Sequence, residues 1–276
     1  MIELPEVVTL TRQMQDTLAG KTIEQVELAE TRPKFLFLTP EPPGLEKKLA
    51  GCRIAGVSSQ GKWTHIRLDN DETLLIGEFG GRLHFHETDI DLPTKRHLAF
   101  RFSDGSAMTL AIQMWGFVGA LTQTEVAEHP YAGNLGPAPF GTRFTLERLN
   151  DTLDGYLETE TKPIKAFLTH EANLCGIGNG YLQDILFRAR LNPKRKVDTL
   201  TESDRKAHHG ALRETLEEAI DLGGRDTERT LFGEPGGYVP ILDRRANGKP
   251  CTVCGTPIQK IQYLGGSCYI CPTCQI

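Results

Sequence analysis

The 276-residue sequence predicts an α+β protein built in consecutive parts, and three observations carry that reading. Short runs with strand-like alternation dominate up to about residue 122, whereas helical spacing dominates from about residue 145. Between them, HPYAGNLGPAPFGT is rich in Pro and Gly and reads as a connection. Five of the seven cysteines fall in the last 26 residues, which sets those residues apart as a module of their own. The expected domains are therefore 1–122, a linker over 123–144, a helical domain over 145–245 and a terminal finger over 246–276.

Taken in order, the first element is a helix over 5–18. Val7, Leu10, Met14 and Leu18 recur at helical spacing, Pro5 suits a helix start and Gly20 follows the end. Six strand-like runs follow: TIEQVEL, RIAGVSS, KWTHIRL, TLLIGEF, HLAFRFS and SAMTLAI, with turns at Asn70-Asp71 and Asp104-Gly105. His84 and His86 alternate in LHFHE and so share one strand face, a conceivable metal pair. Trp63 and Trp115 read as core residues. Beyond the linker, LERLNDTLDGYL, IKAFLTHEA, GYLQDILFRA and RKAHHGALRETLEEAIDLG are helical, the last with a capping signal at Thr201-Asp204.

Cys251, Cys254, Cys271 and Cys274 form two C-x2-C pairs separated by sixteen residues, a spacing suited to one tetrahedral four-thiolate zinc ion. The residues between the pairs read as two strands joined around Leu264-Gly265-Gly266-Ser267, so the metal would clamp a hairpin too small to bury a core of its own. Four protein thiolates leave no open coordination position. The zinc is expected to be structural, and chemistry must lie elsewhere.

Composition is that of a globular chain, 39% hydrophobic and 24% charged, with no apolar run near the roughly 18 residues of a membrane span. The N-terminus, MIELPEVVTL, has neither the positive charge nor the long apolar centre of a secretory signal, so a cytoplasmic, monomeric protein without membrane contact is expected. A net charge of −5 weighs against a nucleic-acid partner, yet RARLNPKRK over 188–196 carries five basic residues and no acidic one, a local patch suited to phosphate. Just before it, CGIGNG over 175–180 opens a helix, where backbone amides can hold an anion. At the other end of the chain, Glu3 and Glu6 flank Leu4-Pro5 beside the α-amine. With a pKa of about 7.7 to 8.0, against about 10.4 for Lys, that amine has the larger neutral, nucleophilic fraction near neutral pH.

These pieces together resemble the formamidopyrimidine-DNA glycosylase and endonuclease VIII family. The matching stretches are IELPEV, the Gly61-Lys62 hairpin, NLGPAPF, PIKAFL, GIGNGYLQDILF, NPKRK, GGRDT and the CTVC…CPTC finger, in family order along essentially the whole chain. The resemblance implies an N-terminal β-sandwich, a helix-two-turn-helix domain and a zinc-ribbon hairpin. It further implies a DNA repair protein acting on lesion-containing double-stranded DNA, with an N-terminal amine attacking sugar C1′ to displace the damaged base and form a Schiff base.

Residue by residue, Glu3 matches the proton-handling glutamate and Lys62 the hairpin lysine assigned to proton transfer and phosphate contact. Asn179 matches the phosphate-binding asparagine. Lys165, Lys194 and Arg195 lie in stretches expected at DNA. Phe79 stands at the helix-wedging position, and the void-filling loop aligns with Gly116 and Phe117. The nucleophile position holds Ile2 in place of proline. Because removal of the initiator methionine requires a small second residue, Met1 is expected to persist, and the attacking amine is that of Met1, or of Ile2 if Met1 is cut. A finger arginine linked to phosphate contact aligns with Gly266. Two readings stay open: a glycosylase with abasic-site lyase activity, and a lesion-binding member with little or no catalysis. A zinc-ribbon protein that binds RNA or protein would leave Glu3, Lys62 and Asn179 unexplained.

Overall fold

A computed structural model describes residues 2–29, 33–77, 80–113, 116–159 and 162–276. Met1, Phe79 and Trp115 lie outside the described residues. The chain forms two compact units, Met1–Asn134 with Gly223–Gly237, and Leu135–Leu222 with Tyr238–Ile276. Gly223–Gly237, which the sequence reading placed inside the helical stretch, thus packs with the first unit, and the terminal finger is part of the second.

The first unit opens with α1 (Leu4–Leu18), whose Val7, Leu10, Met14 and Leu18 are buried as the periodicity predicted. It continues through β1 (Ile23–Leu28), β2 (Leu36–Thr39), α2 (Gly44–Leu49), β3 (Ile54–Gln60), β4 (Trp63–Leu68) and β5 (Glu72–Gly77). Then come β6 (Gly81–His86), β7 (Leu98–Phe102), β8 (Ala107–Ile112), β9 (Gly116–Thr122) and α3 (Gln123–Ala127). One sheet has the order β1-β7-β8-β6 and the other β2-β9-β5-β4-β3. Phe100, Met108 and Leu110 of the first sheet and Ile66, Leu74 and Val118 of the second belong to one buried cluster with α1, which makes this unit a β-sandwich. Truncating such a side chain, for example Met14→Ala, costs about 2–5 kcal/mol.

The pairing is antiparallel except for β2 with β9, which run parallel. Neither β2 nor α2 is signalled in the sequence, because Pro40, Pro42 and Pro43 give that stretch the look of a loop. The β3–β4 turn is two residues long, with Gln60 opposite Trp63. Gly61 takes φ +56, the left-handed value a two-residue hairpin requires at its first position, and this sets Lys62 at the tip. Helix α3 falls in the expected linker, where Glu125 accepts the Thr122 amide at 2.7 Å and donates its own amide to Thr122 Oγ1 at 3.3 Å.

The second unit contains α4 (Leu146–Thr159), α5 (Ile164–Leu168), α6 (Asn179–Arg188), a 3-10 turn (Val197–Thr199), α7 (Glu202–Asp221), β10 (Gln259–Tyr263) and β11 (Gly266–Ile270). The β10–β11 turn is Leu264-Gly265, both at positive φ (46° and 72°), with Tyr263 paired to Gly266. It is tighter by two residues than the sequence suggested. Asp184 of α6 is fully buried and accepts from Tyr238 Oη (2.7 Å) and from the amides of Ile241 and Leu242 (both 2.8 Å), pinning the approach to the finger.

Candidate functional site

The site in the first unit grows from the start of α1. Ile2 is 2% exposed and sits in the sandwich core, so its side chain anchors the terminus instead of facing solvent. Glu3 is the N-cap and Glu6 the third helical residue, and Glu6 Oε2 accepts the Glu3 amide at 2.8 Å. Both carboxylates are buried, at 4% and 2% exposure. Two buried anions need a cation, and Arg225 supplies it. Its amide and Nε each donate to Glu6 Oε1 at 3.0 Å, one terminal nitrogen reaches Glu6 Oε2 at 3.3 Å, and the other reaches Glu3 Oε1 at 3.4 Å. Glu228 adds a carboxylate at 3.6 Å. The planar five-donor fork of arginine grips Glu6 through two nitrogens while a third reaches Glu3, a bidentate geometry that the point charge of a lysine does not offer.

The GGRDT stretch explains how Arg225 arrives there. Gly224 has φ +91, and a Cβ on it would lie 2.8 Å from Glu6 Cγ, so only glycine lets the chain pass this close. Gly236 is equally constrained, since its Cβ would meet the Gly224 carbonyl oxygen at 2.2 Å. GGRDT carries part of the resemblance, and its paired glycines are the local sequence signal for the position that Arg225 takes. Lys62 is buried to 9% exposure at the tip of the β3–β4 hairpin.

In the second unit the structure separates the expected DNA contacts into different kinds. Asn179 is exposed at the first position of α6, beside β11, where a Cβ on Gly266 would lie 2.8 Å from its Nδ2. Lys194 is exposed, with its ammonium 5.5 Å from the centre of the Tyr263 ring. Lys165, expected at DNA, is 1% exposed; its ammonium donates to the Tyr263 carbonyl at 2.6 Å and to Cys268 Sγ at 3.4 Å, so it ties α5 to the hairpin and has no face toward a phosphate. Gln183 joins that attachment by accepting the Tyr269 amide. Arg195 is half-buried and held by Asp204 at 2.6 Å and the Thr199 carbonyl at 3.1 Å. Arg188 pairs with Glu214 at 2.7 Å and Glu218 at 2.5 Å. Two of the five basic residues in the patch are therefore neutralised within the unit. Of the histidine pair, His86 Nε2 lies 2.9 Å from Thr109 Oγ1, and the two rings are 4.6 Å apart. They join no larger group of metal-ligating side chains among the described residues.

The sulfurs of Cys251, Cys254, Cys271 and Cys274 all lie within 4.8 Å of one another and could hold a metal ion. Cys251 and Cys274 are 3.9 Å apart, and Cys254 and Cys271 are 3.4 Å apart. Tetrahedral thiolates bound at about 2.3 Å stand about 3.8 Å from one another, so this donor set fits the zinc ion implied by the resemblance. Amides of Val253 and Cys274 point at Cys251 and Cys271 sulfurs, both at 3.4 Å, as support for negative charge there. Hydrogen bonds from Thr256 bring the Cys254 thiol down to about 6, while its hydrogen bond with Cys254 pushes Cys274 up to about 12. One thiolate thus discourages the next, a repulsion that a divalent cation would lift.

Comparison with known proteins agrees with this geometry. Residues 1–113 match the model of the formamidopyrimidine-DNA glycosylase N-terminal domain, and residues 135–230 match that of its H2TH domain. The formamidopyrimidine-DNA glycosylase of Heliobacterium modesticaldum is 33% identical over 283 residues, covering 100% of both chains. That of Bacillus licheniformis is 30% identical, covering 100% of this chain and 99% of its own. Among solved structures, a mutant Fpg of Lactococcus lactis in complex with Fapy-dG-containing DNA superposes with a TM-score of 0.87 at 27% identity over 99% of each chain. The Fpg of Thermus thermophilus gives 0.82 at 28% identity, over 99% of this chain and 98% of its own. With two domain models covering most of its length and full-length relatives at this identity, the chain belongs to the formamidopyrimidine-DNA glycosylase family.

Proposed function

We propose that this protein is a DNA repair glycosylase that excises oxidised or ring-opened bases and cleaves the resulting abasic strand through an N-terminal amine. The observation that carries the reading is Glu3, a buried carboxylate next to the chain terminus, held in place by Arg225. Three relatives of this fold are complexes with DNA carrying Fapy-dG or an abasic site, which supports a lesion-bearing duplex as the partner.

In the proposed reaction the lesion base leaves the stack, since its sugar is otherwise out of reach. The neutral terminal amine attacks C1′, the C1′–base bond breaks, and the nitrogen–carbon bond formed becomes an imine as the sugar ring opens. Glu3 handles the protons of these steps, and Arg225 keeps its carboxylate oriented. The amine is that of Met1 when it is retained, and of Ile2 when it is removed. The buried Ile2 side chain fixes the terminus from behind in either case. Lys62 and Asn179 each contact backbone phosphate, Phe79 wedges the duplex, and Lys194 supplies an exposed cation near the finger. A zinc ion on Cys251, Cys254, Cys271 and Cys274 braces the hairpin and takes no part in bond breaking. Such a partner fits a cytoplasmic, nucleoid-associated protein.

The test is borohydride trapping on abasic-site DNA followed by intact-mass and peptide mapping. An adduct on the N-terminal residue is expected. Intact DNA binding with no adduct would remove the lyase mechanism and leave a lesion-binding protein.

A further inference from the structure

We propose that the aromatic pocket on the β2–β9 side of the sandwich is a second nucleotide-binding site, one that takes a single unstacked base of a DNA strand. The pocket encloses about 750 Å³, within the range of small-ligand sites. Its floor is Trp63, 1% exposed, packed so closely on β5 that a Cβ on Gly77 would lie 2.0 Å from its Cε3. That contact uses the edge of the indole opposite Nε1. The Nε1–H itself is buried with no hydrogen-bond partner among the described residues, a donor that costs free energy until an acceptor arrives.

The wall is His129 and Phe117. The His129 ring centre lies 5.0 Å from Trp63 and 4.7 Å from Phe117, both edge to face. His129 Nδ1 accepts the amides of Tyr131 (3.3 Å) and Ala132 (3.1 Å), so the ring proton resides on Nε2, which has no protein partner among the described residues. Phe37 and Tyr131 form the rim at 52% and 63% exposure, unusual for rings of that size. Lys34 is exposed at the mouth, with its ammonium 5.5 Å from the Phe35 ring; Glu41, also on the lining, has an interaction of its own within the protein.

Each of these features matches one part of a nucleotide. Exposed ring faces stack on a base, the two ring N–H groups meet acceptors on its edge, and the Lys34 ammonium meets its phosphate. An aliphatic or aromatic side chain of a protein partner would leave the buried Trp63 donor unanswered. Trp63 also follows Lys62 directly in the chain, next to the residue proposed to contact backbone phosphate. The inference rests on the DNA reading given above.

Photocrosslinking with a single-stranded oligothymidine carrying one 5-iodouracil, paired with fluorescence anisotropy on the unmodified strand, tests it. Crosslinks are expected on Phe37 or Tyr131. The Phe37→Ala/Tyr131→Ala variant, altered only at exposed positions, should bind the strand about 5-fold to 150-fold more weakly, the loss of one stacked base. Its affinity for fully paired duplex should stay within about two-fold of wild type, since every base there is already stacked. Crosslinks confined to other residues, or an unchanged single-strand affinity in the variant, would overturn the pocket while leaving the repair reading intact. Failure of the wild-type protein to bind either strand or duplex would overturn both.

Discussion

His208 makes the stability of the second unit depend on acid. It sits on α7, is fully buried, and neither ring nitrogen has a hydrogen-bond partner among the described residues. Burial, with a smaller contribution from the neighbouring His209, brings its pKa from the ordinary 6.5 down to about 3. In the unfolded chain the ring takes a proton near 6.5, whereas in the folded protein it stays neutral until about 3. Between those values the unfolded state binds more protons, so stability is full above the unfolded pKa and declines as pH falls. Taking 6.5 and 3 as the two pKa values, the loss between pH 8 and pH 5 is about 2 kcal/mol, approaching about 5 kcal/mol at the acid limit. The perturbation is His208→Leu, which removes the titrating group together with two unsatisfied polar atoms. Urea unfolding followed by far-UV circular dichroism at pH 8 and pH 5 gives the comparison. The wild type should lose about 2 kcal/mol more than the variant over that interval, and the variant should be at least as stable at pH 8. Equal losses in the two proteins, within about 0.5 kcal/mol, would show that His208 stays satisfied and does not govern the acid response.

Other substitutions probe the site directly. Gly224→Ala forces a side chain into φ +91 and toward Glu6 Cγ, so it should cost about 1–3 kcal/mol in thermal unfolding and lower base-excision rate by displacing the acid that Arg225 holds. Arg225→Met leaves Glu3 and Glu6 buried without their cation; a loss of about 3–5 kcal/mol at pH 8 is expected by chemical denaturation, and little change would mean that other groups neutralise them. Lys165→Met keeps an unbranched apolar stem, one atom shorter, and strips the Tyr263 carbonyl of its donor. Faster hydrogen exchange across Gln259–Ile270 should follow, with abasic-site trapping reduced only as far as the hairpin loosens. Chelating a metal ion held by the four terminal cysteines should unfold the hairpin and weaken DNA binding, while tryptophan fluorescence, which arises only from Trp63 and Trp115 in the first unit, stays unchanged.

What was legible in the sequence was what repeats or what metal chemistry spaces. The period of α1, the alternation of β4 and β8, and the two C-x2-C pairs each state their structure within a few residues. The return of Gly223–Gly237 to the first unit was not legible, because the contact joins residues 219 positions apart and its only local trace is a pair of glycines. The resemblance puts Lys165 in a stretch expected at DNA, yet it is buried, and the Tyr263 carbonyl and Cys268 sulfur that arrive from the hairpin make that burial tolerable. Arg188 and Arg195 looked like free charge in a run of five, yet each had acids waiting on α7, at Glu214, Glu218 and Asp204. A local charge count cannot see such partners.

Gly266 shows how packing and charge trade against each other at the finger. The resemblance puts an arginine at this position, so its absence reads first as a lost contact. The structure gives the glycine a reason, since β11 approaches α6 so closely that any Cβ here would meet the Asn179 amide at 2.8 Å. A larger residue must therefore push Asn179 aside, and with it the first-position side chain of α6. Tyr263 stands directly opposite Gly266 in the hairpin, and the Lys194 ammonium lies over its ring. The turn keeps a cation within reach while leaving Asn179 in place, but the cation comes from the loop after α6 and not from the finger. Gly266→Arg should for that reason fail to strengthen binding unless Asn179 is shortened as well. Neutralising Lys194 should flatten the salt dependence of binding by about one phosphate contact.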